Sequence, residues 1–179
     1  MIRKARKEDV KIVISLLALA MNEFILNLSA ADNESEALEL LSDFFLKKNN
    51  RLSYENIFVY EEENQILAAL CLYDGAKADF LDKALNENAK KRKKAAILKE
   101  CENDYYIDSI GVCPSARGKG IATKLILYAY NLAKKDNKKL SLIVEENNHK
   151  AKKLYENLGF VFNKYKEFHG HKYLYMVKG

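Results

Sequence analysis

The residues best placed to do chemistry run from Ile110 to Ala122, in the order Ile110-Gly111-Val112-Cys113-Pro114-Ser115-Ala116-Arg117-Gly118-Lys119-Gly120-Ile121-Ala122. They read as a strand that stops at a proline and a glycine-rich turn that opens into an amphipathic helix. A helix that starts this way leaves backbone N–H groups unpaired and points its positive dipole end outward, which makes a cradle for phosphate. Gly118 and Gly120 let the main chain approach a ligand without a Cβ in the way, and Arg117 and Lys119 add positive charge. Two common phosphate ligands fail on spacing. A dinucleotide fingerprint needs a third glycine where Thr123 stands, and a nucleoside-triphosphate loop needs a Gly-Lys-Ser/Thr that is missing here. The plain alternative is a glycine-rich turn with no ligand.

Other titratable groups stand on either side of the cradle. On the preceding strand Asp104, Tyr106, Asp108, Ile110 and Val112 share parity, and hence one face if the strand is regular. A carboxylate on a largely apolar strand suits acid–base work, against the alternative of a hydrogen-bonded strand end. Downstream, Ala151, Leu154, Tyr155 and Leu158 recur at i, i+3, i+4 and i+7, so Tyr155 is either packed core or a phenol offered to a site. Gly159 reads as the left-handed stop of that helix. His149, His169 and His171 read as solvated residues at a helix start and a turn, and without further ligand spacing no metal site is expected. Cys113 adjoins the cradle, but an acyl-cysteine route would want a nearby histidine that the sequence does not place.

The elements that must position these groups follow from periodicity. Residues 2 to 5 suit a short strand, and Val10 to Ala20 and Glu34 to Lys47 have helical spacing, with Asn22 to Asn33 open between helix continuation and loop. Ile57 to Tyr60 and Ile66 to Tyr73 suit a hairpin. The stretch from Gly75 to Asp104 is weakly helical and highly charged, and its Lys90 to Lys94 run is either a solvated face or a patch for an acidic substrate. Then come strand Tyr105 to Val112, helix Gly118 to Lys135, strand Leu140 to Val144, helix Asn148 to Asn157 and a closing hairpin that turns at His169-Gly170-His171. Strands that alternate with helices predict a parallel pair, and the hairpins make the sheet mixed.

With 179 residues, 49% of them apolar, the chain is expected to form one domain over residues 1–179. A net charge of +5 favours anionic ligands. No zinc-ligand spacing, RNA-recognition aromatics or helix-turn-helix pattern points to nucleic acid. The apolar run from Ile12 to Met21 is too short and too flanked by charge to span a membrane. Three widely spaced cysteines, Cys71, Cys101 and Cys113, indicate no disulfide framework, so a cytoplasmic setting is expected.

The stretch around the cradle resembles the GNAT superfamily of N-acetyltransferases, whose cofactor signature Gln/Arg-x-x-Gly-x-Gly/Ala is matched by Arg117, Gly120 and Ala122. A second block of that superfamily is similar to 148–160, with Asn148, Ala151, Leu154, Tyr155, Gly159 and Phe160 in register. The resemblance implies an α/β fold with a mixed, mostly antiparallel central sheet, a parallel splayed strand pair and flanking helices. It implies acetyl-CoA as cosubstrate and an amine acceptor. Main-chain groups of Ile110, Gly111 and Val112 would hold the pantetheine arm, the amides of Gly118, Lys119, Gly120, Ile121 and Ala122 the pyrophosphate, and Asn148 would reach the pantetheine side. Tyr155 would donate its proton to the departing sulfur, as phenol and thiol titrate near ~10 and ~8.5. An amine with pKa ~10.4 must be deprotonated before it attacks, so a base is needed, and Asp108 and Asp104 are the candidates. The aromatic residues of the last hairpin would serve as core or substrate wall, with a homodimer through that hairpin as one expectation. A non-catalytic acyl-CoA-binding module would keep the same cradle.

Overall fold

A computed structural model describes every residue except His169. Seven strands form one sheet in the order β1-β2-β3-β4-β5-β7-β6: β1 (Ile2–Lys4), β2 (Ile57–Glu62), β3 (Gln65–Asp74), β4 (Tyr105–Val112), β5 (Leu140–Glu145), β6 (Val161–Phe168) and β7 (His171–Lys178). All neighbours run antiparallel except β4 and β5. The mixed, mostly antiparallel sheet with one parallel pair is the architecture expected from the sequence.

Both faces of the sheet are covered, so the central strands are apolar on both sides. One face packs on α1 (Val10–Met21), α2 (Phe24–Ser29), α3 (Glu34–Leu46), α4 (Ala78–Leu81) and α5 (Lys83–Lys91). The other packs on α6 (Ile121–Lys135) and α7 (His149–Asn157). Strand period 2 sorts the residues: Ala69, Cys71 and Tyr73 join the first core, and Ala68, Leu70 and Leu72 the second.

Several boundaries turn on local backbone chemistry. The open stretch after α1 is a separate short helix, because Asn22 takes a positive φ of 49° and ends α1, while Ala30 at 58° ends α2. Asn33 then caps α3 by accepting from the Glu36 N–H at 3.0 Å. The first hairpin turns on Glu63 and Asn64, both at positive φ as a two-residue turn requires, so its strands run closer together than the expected Glu61 to Gln65 connection. Helix α6 begins at Ile121 rather than Gly118, since Gly118 and Gly120 sit at φ 80° and 74°.

The regular β4 face expected from parity does not form. Cys71 pairs with Ser109 but Leu72 with Ile107, so Asp108 is an extra residue in a β-bulge. Tyr106 therefore lies in the first core, whereas Ile110 and Val112 pack against the second. One inserted residue has reversed the parity.

Candidate active site

The bulge coincides with the end of the parallel pairing. Strands β4 and β5 are in register at Tyr105↔Leu140, Tyr106↔Ser141 and Ile107↔Leu142, and beyond that point they part. A cavity of about 690 Å³ opens in the wedge, walled by Asp108, Ser109 and Ile110 on one strand and Ile143, Val144 and Glu145 on the other. Asn148, Ala151 and Tyr155 of the α7 segment close one side, and Met21 to Phe24 another. Backbone groups of β4 that face the gap have lost their sheet partner, so they are available to an extended ligand.

Tyr155 is partly buried with its ring edge-on to Phe160 at 5.9 Å. Burial raises its phenol pKa, which keeps the hydroxyl protonated and able to act as an acid. The end of its helix is fixed by Gly159 at φ 84°, with the Phe160 N–H donating to the Tyr155 carbonyl at 3.0 Å. Asn148 caps the start, its Oδ1 accepting from the Ala151 N–H at 3.1 Å. Asn148 also lines the cavity.

Asp108 is held in a cluster that sequence reasoning missed. Arg51, from the loop after α3, is wholly buried and binds Asp82 through two hydrogen bonds of 2.6 and 3.1 Å. Its Nη1 lies 3.1 Å from Asp108 Oδ1 and 3.6 Å from Glu100 Oε1. The Tyr106 hydroxyl donates to Glu100 at 2.8 Å and that of Tyr73 to Asp108 at 3.4 Å. Three carboxyls thus surround one guanidinium. Burial pushes the Glu100 carboxyl up to about 6, with Arg51 opposing the shift and Asp108 adding to it. Asp108 is raised for the same first reason, again against Arg51. Its side chain is 5% exposed although the residue as a whole is half-buried, so what meets the cavity is largely main chain. Glu100 lines the cavity too.

The structure brings Asp108, Ile110, Asn148 and Tyr155 to one cavity. Asp104 is not on its wall and instead accepts a 2.9 Å hydrogen bond from Tyr175 at the start of β4. Gly111 packs against α1, where an added Cβ would meet the Leu16 carbonyl oxygen at 1.9 Å. Val112 packs on the second core, and its carbonyl accepts from Arg117 Nε at 3.4 Å. Arg117, Gly118, Lys119 and Gly120 form an exposed turn, and no atom lies within 4 Å of a Cβ built on either glycine. The positive φ, rather than crowding within the chain, demands glycine there, and the space above is free for an anion. Ile121 is buried and Ala122 partly so as α6 begins. His171 is exposed, its Nδ1 3.2 Å from Glu145, whereas His169 lies outside the described residues. Among the described residues no group of three or more His, Cys, Asp or Glu could hold a metal ion, and no helix is long and apolar enough to cross a membrane.

Residues 18–160 match the acetyltransferase (GNAT) family model. The chain is 29% identical to an N-acetyltransferase from Staphylococcus aureus Mu50, with a TM-score of 0.88 over 99% of this chain and 100% of that one. A second solved acetyltransferase is 31% identical, with a TM-score of 0.80 over 99% of this chain and 98% of that one. A Bacillus anthracis protein described as a streptothricin acetyltransferase, solved in complex with acetyl coenzyme A, shares the fold at 22% identity and a TM-score of 0.50, covering 68% of this chain and 60% of that one. No curated protein sequence matches the chain.

Proposed function

Since the chain belongs to the acetyltransferase (GNAT) family, we propose that it is an N-acetyltransferase that moves the acetyl group of acetyl-CoA to a primary amine by direct attack. The observation that carries this reading is the wedge between β4 and β5, which gathers Tyr155, Asn148 and the Asp108 cluster around one cavity. Acetyl-CoA supplies the electrophilic thioester carbonyl and a thiolate leaving group.

The chain's own residues then have separate tasks. The amides from Gly118 to Ala122 bind the pyrophosphate, with Arg117 and Lys119 adding charge. Main-chain groups of Ile110, Gly111 and Val112 pair with the pantetheine amides as a missing strand would, and the Asn148 amide assists. The acceptor loses a proton toward the Asp108–Glu100 pair as its nitrogen forms the new bond to carbon. As the carbon–sulfur bond breaks, the Tyr155 hydroxyl gives its proton to sulfur. Asp104, tied to Tyr175, anchors the strand that carries Asp108. We assign all of these tasks to residues 1–179 as one domain.

Calorimetric titration with acetyl-CoA, followed in the same sample by thiol release against a panel of amines, tests the reading. Micromolar binding with amine-dependent release is the expected result. Binding without release with every amine would replace it with a non-catalytic acyl-CoA sensor, and absence of binding would remove both.

A further inference from the structure

Resting on that reading, the acceptor end of the cavity has a charge that narrows the amine. Among the described residues, and apart from His171, which is paired with Glu145, every ionisable side chain on the wall other than Tyr155 and Tyr173 is a carboxyl: Glu23, Glu100, Glu145 and, with little of its side chain exposed, Asp108. Among the described residues no lysine or arginine lines it, in a chain with 30 of them and a net charge of +5. The acidity is therefore local and runs against the whole molecule. Arg51 does not cancel it, because its guanidinium already serves Asp82 in addition to Asp108 and Glu100. With all three carboxyls ionised, the cluster carries two more negative charges than positive. A buried excess of that kind draws in either protons or a cationic ligand.

Two further observations point to a ligand. Ser109 Oγ, beside Asp108 on the wedge wall, is buried in a residue only 8% exposed and has no hydrogen bond of normal geometry to a described residue. Its hydroxyl favours the charged form of the neighbouring Asp108 carboxyl, and a buried hydroxyl short of well-formed hydrogen bonds is one that a ligand can complete. Aromatic side chains, Phe168, Tyr173 and Tyr155, also line the cavity, and ring faces attract alkylammonium groups.

We propose that the acceptor is a small amine carrying a second positive charge, a diamine or longer polyamine. Its reacting nitrogen lies toward Ser109, Asp108 and Glu100, and its other ammonium group is held by Glu23 and Glu145 at the mouth. Glu23 is exposed and Glu145 half-exposed, so both can meet a solvated ammonium without a large desolvation cost. A carboxylate on the acceptor would face the same residues and be repelled.

The test is steady-state thiol release by the whole protein at saturating acetyl-CoA, with 1,4-diaminobutane and spermidine set against 1-aminobutane, 4-aminobutyrate and a neutral-capped peptide bearing a free N-terminus. The diamines should exceed 1-aminobutane in kcat/KM by about tenfold or more, with 4-aminobutyrate slowest. In the double variant Glu23→Gln, Glu145→Gln, the advantage of 1,4-diaminobutane over 1-aminobutane should shrink to within about twofold, mostly through KM. Equal use of mono- and diamines, preference for 4-aminobutyrate or the peptide, or an undiminished advantage in the double variant would each overturn the proposal. Acetyl-CoA binding with turnover of some amine would still stand in those cases. Loss of all binding and turnover would instead strike the acetyltransferase reading itself.

Discussion

A phenol that must release its proton and a carboxyl that must take one up need opposite protonation states, and burial, which raises both groups, serves each. Burial raises Tyr155, so the hydroxyl stays protonated while sulfur departs. Tyr155→Phe keeps the ring packing on Phe160 and removes only the hydroxyl; kcat should fall about 10²–10³-fold while acetyl-CoA affinity by calorimetry stays within about twofold. For the base the sign runs the other way. Glu100, pushed up to about 6, accepts a proton only above that value, so kcat/KM for a given amine should rise as pH passes through about 6 and level off above it on this limb. Glu100→Gln should lower kcat about 10²-fold and abolish that limb in the pH profile. The same raised value makes a stability statement: the folded state holds this proton more tightly than the unfolded chain does. Its contribution is present below about pH 4.5 and is lost as pH rises through about 6.

At the scale of elements, the wedge exists because β4 is pinned on its other neighbours while β5 diverges. Helix α1 crosses so close to β4 that a Gly111 Cβ would sit 1.9 Å from the Leu16 carbonyl oxygen. Gly111→Ala must move helix or strand, so denaturant unfolding should show a loss of about 1–3 kcal/mol or more, and acetyl-CoA affinity should fall with it. The Arg51 cluster ties the loop after α3 to the α4–α5 junction, the segment before β4 and β4 itself. Arg51→Met leaves three carboxyls buried without their cation, a loss of about 3–5 kcal/mol at neutral pH. Because the folded state would then bind protons more tightly than the unfolded chain, the variant's melting temperature should rise between about pH 7 and 5. The alternation from Tyr105 to Phe160 and the glycine turn were legible in the sequence, as each is a local pattern of spacing and breakers. The bulge was not, because one inserted residue leaves an apolar run unchanged and shows only in pairing with β3. Nor was Arg51, which no periodic pattern singles out and whose partners Asp82 and Asp108 lie 31 and 57 residues away. Glu100 stood in a charged stretch where nothing local sets one carboxyl apart from the others.

Taken whole, the molecule carries opposite charge at two places: an exposed Arg117–Lys119 turn before α6 and a carboxyl-walled cavity between β4 and β5. The two scales of charge make different predictions for salt. If the net +5 governed encounter, screening would weaken capture of anionic acetyl-CoA but relieve repulsion of a dicationic acceptor, so the acceptor's KM would fall. If local charge governs, screening weakens both. The groups that would first meet each ligand, Arg117 and Lys119 on the turn and Glu23 and Glu145 on the cavity wall, are exposed or half-exposed and so are open to screening. The screening length falls from about 10 Å at about 0.1 M salt to about 3 Å at about 1 M. Raising sodium chloride from about 0.05 to about 0.5 M should therefore raise KM for acetyl-CoA and for 1,4-diaminobutane together, each about two- to fivefold, with kcat little changed. Opposite shifts for the two substrates would mean that the whole protein's charge, and not the wall of the cavity, guides the acceptor.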